Sequence, residues 1–228
     1  MKLFKIMKHK ISLLVVVFFI TINSIYSQNN EMETKVLIKT SVGDITIKLY
    51  NETEYHKNNF IKLVEQNFYD GVLFHRVINA FMIQTGDPDS KNASADKQLG
   101  RGGPGYTIPA EITPKFYHKK GALSAARTSD QMNPTRRSSG SQFYLVTGKV
   151  YSDSELNMFE KQAHTKLTKE QREAYMTIGG TPHLDGQYSV FGEITDGIEI
   201  IDKIQKVKTG AGDRPIEDIK IIEMTIIK

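Results

Sequence analysis

The chain has 228 residues, with 30 Lys and Arg against 26 Asp and Glu and no Cys. Without cysteine there is no disulfide framework, and stability must come from a hydrophobic core. The formal charge of +4 resides in the first 27 residues, where Lys2, Lys5, Lys8 and Lys10 accompany no acidic residue; the remainder is balanced at 26 against 26. Composition therefore argues against nucleic acid or anionic lipid as a partner.

Those four lysines precede an apolar run over 11–22 and a short polar stretch over 23–27, the layout of a secretory signal peptide. About 12 apolar residues fall short of the roughly 20 that cross a bilayer as a helix. Cleavage after Ser27 is expected. That would leave an exported protein without a stable membrane span, placed most readily in the periplasm of a Gram-negative bacterium. Residues 28–34 read as a polar linker and 35–228 as one domain, long enough for a single core.

Residues 35–39 and 44–50 alternate apolar and polar around Ser41-Val42-Gly43, which predicts a hairpin. Phe60, Ile61, Val64 and Phe68 recur at helical spacing within 54–68. Short strands are expected at 72–78, 81–85, 121–126, 142–147 and 188–194, then a helix over 198–207 and a last strand over 219–227. Two insertions interrupt this series. Residues 127–139 are polar and predict an exposed loop. In 151–178, Leu156, Phe159, Ala163 and Leu167 predict a helix starting near Ser152 or Asp153, and Thr168 with Gln171 forms a capping box for a second. That excursion reads as a lid or partner surface outside the core. Many short strands with two helices fit a mainly β fold, a closed barrel with capped ends.

Residues 74–88, FHRVINAFMIQTGDP, place an arginine and a glutamine in an apolar run. A buried strand rarely spends such groups on packing, because each needs polar partners. Strand alternation would set Phe81 and Ile83 opposite Met82 and Gln84. Three further segments follow in order: GALSAAR (121–127), GSQFYLV (140–146) and HLDGQYSVFGEITDG (183–197). In these four motifs the chain resembles the cyclophilins, peptidyl-prolyl cis-trans isomerases, from about Val36 to the C-terminus.

The resemblance implies an eight-stranded antiparallel β-barrel capped by two helices, with the excursion as a helical insertion. It implies a monomer that acts on proline-containing polypeptides without cofactor or metal. Arg76 matches the family's catalytic arginine. Phe81, Met82, Tyr144 and Leu184 match the apolar proline pocket, and Gln84 and Gln142 the polar positions that hold peptide carbonyls. Ala126 and Arg127 fall where the family presents backbone to substrate, although Arg127 stands where asparagine is common. His183 stands where tryptophan is frequent and Tyr188 where histidine is frequent; both keep ring-bearing polar side chains at the rim.

A second reading is a peptide-binding or holdase-like module of the same fold with little turnover. The complete Arg76, Phe81, Met82 and Gln84 set favours the enzyme. A hydrolase built on Ser141 and a histidine lacks a nucleophile-elbow motif. The GRGGPG run at 100–105 spells a dinucleotide fingerprint, but no apolar strand precedes it and Pro104 and Pro109 prevent a following helix. It reads instead as a glycine-rich turn beside the groove. The six histidines show no metal-ligand spacing.

Overall fold

The computed structural model describes residues 33–227; the expected leader and most of the 28–34 linker lie outside them. The first hairpin forms as the alternation predicts. β1 (Lys35–Thr40) and β2 (Gly43–Leu49) pair from Lys35 opposite Lys48 to Thr40 opposite Gly43. Val36, Ile38, Ile45, Ile47 and Leu49 all point inward and are fully buried. Helix α1 (Glu54–Glu65) follows and contributes Phe60, Leu63 and Val64 to the same core.

β3 (Arg76–Ile78) and β4 (Met82–Thr85) come next. After them the chain forms β5 (Thr107–Ile108), β6 (Ala122–Ala125), β7 (Ser138–Ser139) and β8 (Phe143–Val146). The excursion supplies α2 (Asp153–Ala163) and α3 (Lys169–Thr177), each with a complete capping box, Ser152 with Glu155 and Thr168 with Gln171. β9 (Val190–Asp196), α4 (Ile198–Ile204) and β10 (Ile221–Ile227) complete the chain.

Eight strands join in one antiparallel sheet, in the order β10-β1-β2-β9-β6-β8-β4-β3. The sheet is curled but open, which corrects the closed barrel expected from the sequence. β3 has only three residues, so no ladder forms between it and β10. The seam is held just upstream of β3 and at the start of β10, by the Leu73–Lys220 bridge and backbone bonds from Phe74 to Ile219 and from Ile221 to Val72. Ile201 and Ile204 of α4 pack into the same interior as α1.

One insertion differs from expectation. The 127–139 segment is not simply an exposed loop: Ser138 and Ser139 pair with Thr107 and Ile108 as a small second sheet, and Ser138 is buried. The excursion lies outside both core clusters and docks on the segments that flank β6 and β8. Leu156 and Tyr175 are fully buried, the Tyr175 ring meets Tyr117 edge-on, and Gly180 bridges both Lys119 and Lys149. Of its apolar stripe only Leu156 is buried; Phe159 and Leu167 are half-buried and Ala163 is exposed. Among the described residues no helix is long and apolar enough to cross a membrane.

Candidate active site

Strand register assembles the site. Arg76 of β3 lies opposite Gln84 of β4, Gln84 opposite Tyr144 of β8, and Tyr144 opposite Ser124 of β6. These four therefore share one face, and Val77 and Ile83, one residue along, turn into the core. Ile78, Met82 and Val146 form the neighbouring row on the outward face. An apolar cluster separate from the main core results, in which Met82 and Tyr144 are joined by Phe81, Leu184 and Tyr188.

Above this cluster is an open groove of about 400 Å³, lined by Arg76, Phe81, Met82, Gln84, Ala126, Arg127, Tyr144, Leu184 and Tyr188. Phe81 reaches it because the chain turns before β4: the Phe81 N–H donates to the Ile78 carbonyl at 3.2 Å and Ala80 has φ 57°. Alternation counted back from Met82 thus fails at Phe81, and the two side chains line one wall instead of opposite faces.

Two of the expected residues, Gln142 and His183, are not part of the lining itself. Gln142 is buried and holds Gln84, whose Nε2 donates to Gln142 Oε1 at 3.0 Å; its own Nε2 donates to the Gly102 carbonyl at 2.8 Å. The glycine-rich turn is thus tied to Gln142, one residue removed from the groove lining. His183 stacks on Phe81 with ring centroids 5.5 Å apart. Burial against its neighbours, and then the nearby His118, push the His183 imidazole below its ordinary pKa, so the ring is neutral at pH 7.

Arg127 contributes a side-chain wall. Its guanidinium lies 4.4 Å from the Tyr188 ring centre and contacts Asp130 at 2.5 Å, and Nε donates to the Gln187 carbonyl. The backbone of Ala126 is already engaged: its N–H donates to Gln142 and its carbonyl accepts from Ser139. One carbonyl lone pair is left for a ligand.

Several contacts were not readable in the sequence. Arg76 Nε lies 3.4 Å from Oδ2 of Asp213, which sits in a turn at 211–213. With a carboxylate at Nε, the two terminal nitrogens of the guanidinium remain available to a ligand in the groove that Arg76 lines. A second cluster has the bond order of a hydrolase triad: Ser138 Oγ is 2.9 Å from His56 Nε2, and His56 Nδ1 is 2.5 Å from Glu111. Ser138 and His56 are each only 2 % exposed, so no substrate reaches them. Glu111 also accepts the N–H groups of Tyr55 and His56, capping α1 where Thr53 makes no side-chain cap. Burial works to raise the Glu111 pKa, but these bonds outweigh it and hold it below the ordinary range. The cluster is a clamp between α1, the 109–111 segment and β7. Ser141 has no histidine partner; its hydroxyl donates to the Gly86 carbonyl at 2.7 Å. Among the described residues no group of three or more His, Asp or Glu is arranged to hold a metal.

Comparison with known proteins identifies the family. The family described as cyclophilin type peptidyl-prolyl cis-trans isomerase/CLD matches residues 35–226. Relatives named for peptidyl-prolyl cis-trans isomerase occur in Staphylococcus epidermidis, 35% identical over 85% of this chain and 91% of the relative, and in Staphylococcus aureus, 36% identical over 83% and 89%. A Streptococcus pyogenes protein named as a bifunctional phosphatase and isomerase is 35% identical over 84% of this chain, which spans only 38% of that protein. Among solved structures, a Cryptosporidium parvum cyclophilin type isomerase shares the fold, with a TM-score of 0.62 at 23% identity over 86% of this chain and 98% of that one. A second structure of that protein, obtained in the presence of the dipeptide Ala-Pro, gives 0.60. The chain described here belongs to the cyclophilin-type peptidyl-prolyl cis-trans isomerase family.

Proposed function

We propose that this isomerase acts on X-Pro bonds of polypeptides folding outside the cytoplasm, as a monomer released from its leader, with Arg76 as the catalytic residue. Rotation about a prolyl bond meets a barrier of roughly 18–20 kcal/mol because amide resonance keeps it planar. A cation that hydrogen-bonds the proline nitrogen as it pyramidalises stabilises the twisted state more than the planar one. Each 1.36 kcal/mol so gained is about tenfold in rate. The reaction needs no nucleophile, metal or cofactor.

The observation that carries this reading is the placement of one half-exposed arginine, 41 % exposed, at the end of the Gln84–Tyr144 row beside an apolar pocket. Phe81, Met82, Tyr144 and Leu184 suit a proline ring, which has no donor to satisfy. Gln84, steadied by Gln142, presents its remaining polar valence to a peptide carbonyl. His183 and Tyr188 rim the pocket, and Arg127 closes one side. A protease-coupled assay on prolyl tetrapeptides tests the chemistry: turnover in the wild type, lost in a folded Arg76→Ala variant, supports it. Fractionation of the native host with N-terminal sequencing tests the address. Intact residues 1–27 on a cytoplasmic protein would refute export.

A further inference from the structure

The floor of the groove is tied to the helical excursion by a chain of four polar groups. The Tyr144 ring faces the groove, but its hydroxyl points into the protein, 3.1 Å from Nε2 of His118. His118 is fully buried, and its Nδ1 lies 2.9 Å from Oδ1 of Asp185, which also accepts the His118 backbone N–H at 2.8 Å. The other oxygen of Asp185 accepts from the Tyr175 hydroxyl at 2.6 Å. Tyr175 belongs to α3, within the excursion, and is itself fully buried.

A carboxylate only accepts, so Nδ1–H of His118 donates to Asp185, which leaves Nε2 to pair with the Tyr144 hydroxyl. Each group is oriented by the next, and the last of them is supplied by a segment that contributes no residue to the groove lining.

The backbone around this chain leaves little freedom. A Cβ on Gly180 would stand 2.3 Å from the His118 carbonyl and 2.6 Å from the Tyr175 ring, and one on Gly148 would lie 2.4 Å from Gly180. Gly180, at φ 155°, and Gly148, at φ 55°, let the two ends of the excursion close against His118. Tyr175 is consequently held against the network by main chain as well as by its hydroxyl.

We propose that Tyr175 is a positioning residue for the proline pocket, acting through Asp185 and His118 to fix the Tyr144 ring, so that the excursion tunes substrate affinity from outside the groove. A buried network in which every member is satisfied specifies one arrangement, and loss of one member loosens the rest. The inference rests on the isomerase reading of the groove, so its test includes peptide binding, which is measured apart from turnover.

The experiment is a double-mutant cycle with Tyr175→Phe and Tyr144→Phe, each of which removes one hydroxyl and keeps its ring. Kd for a proline-containing tetrapeptide is measured by NMR titration, with KM and kcat from the protease-coupled assay. Tyr175→Phe should raise Kd and KM by about threefold to tenfold, the range of one buried hydrogen bond, and leave kcat within about twofold because Arg76 is untouched. In the Tyr144→Phe background the same change should have little further effect, because the chain is already cut. A lowered melting temperature with unchanged Kd, or additive effects across the cycle, would overturn the proposal. Should Tyr175→Phe fail to fold, Asp185→Asn breaks the same chain with its shape kept, and the same cycle is read with it. A wild type that binds peptide but shows no turnover would count against the isomerase reading and leave the Kd cycle decisive for the positioning role.

Discussion

The two faces of one short stretch, β3 with β4, are built on different physics. Val77 and Ile83 point inward and join a core of aliphatic and aromatic side chains whose stability comes from area removed from water. Arg76 and Gln84, one residue along on the same strands, point outward and carry a cation and an amide over an apolar pocket. Because side chains alternate along a strand, neither task constrains the other. The packing face can be optimised for the fold, and the groove face is left to chemistry.

The largest effect should come from breaking the outward face alone. Arg76→Ala is expected to lower kcat/KM for a prolyl peptide by about 100- to 1000-fold, the usual consequence of removing one donor aimed at a transition state. Its melting temperature should stay within about 2 °C, since half-exposed charges contribute little to stability. A folded variant with undiminished turnover would sink the catalytic assignment. Ile83→Ala, on the inward face, should do the reverse. Deleting a fully buried side chain costs about 2–5 kcal/mol, a fall of roughly 4–20 °C for a domain of this size. The remaining folded fraction should turn over peptide at close to the wild-type rate. Equal losses of activity and stability in both variants would show that the two faces are coupled.

How far each face could be read in the sequence follows from the same contrast. The inward face was legible throughout, because alternation in 35–39 and 44–50 is a local signal that burial enforces. On the outward face Arg76 and Gln84 stood out as polar residues in an apolar run. Met82 and Tyr144 did not, since a buried Met or Tyr looks like core until a motif places it. Alternation alone sets Phe81 on the wrong wall, because the turn at Ala80 resets it, whereas the family motif groups it with Met82. Asp213, Tyr175 and the His56–Glu111 pair carried no local signal at all: each acts on a partner brought near only by the fold. The Thr168–Gln171 cap is legible because it is written within four residues, whereas the excursion's docking through Leu156 and Tyr175 depends on long-range packing.

A second contrast sets the sheet against the excursion, whose two helices are joined to each other by charged groups. Glu160 is buried between α2 and α3, accepts from the Leu167 N–H and pairs with Lys166 and Arg172. Hydrogen bonds from Lys166 and Leu167 draw its pKa down to about 2, and those from Lys149 and Ser152 do the same for Glu155. A carboxylate with a depressed folded pKa contributes stability above its unfolded value, near 4.5, and loses it as pH falls through the folded value. Between pH 4.5 and 2, amide protection in 153–177, corrected for intrinsic exchange, should therefore decline before that of β1 and β2. Earlier loss in the hairpin would show that the sheet, not the excursion, is the acid-labile region.

The smallest effect concerns the carboxylate beside Arg76. Asp213 reaches Arg76 from a turn outside the sheet, and both side chains are nearly half exposed. An exposed pair of this kind contributes only about 0–1 kcal/mol, so Asp213→Asn should leave stability unchanged within error. Its influence on rate should be real but limited. Without a charge at Nε the guanidinium samples orientations in which its terminal nitrogens leave the groove, and the fraction ready to meet the twisting amide falls. Kcat should then drop by about two- to fivefold with KM nearly constant, because the apolar groove wall of Phe81, Met82 and Tyr144, the proposed proline pocket, is untouched. Raised salt, which screens exposed pairs, should lower wild-type kcat toward the variant's and leave the variant's nearly unchanged. A rise in KM instead, or a salt response shared by both proteins, would show that Asp213 serves the pocket or the general field and not the orientation of Arg76.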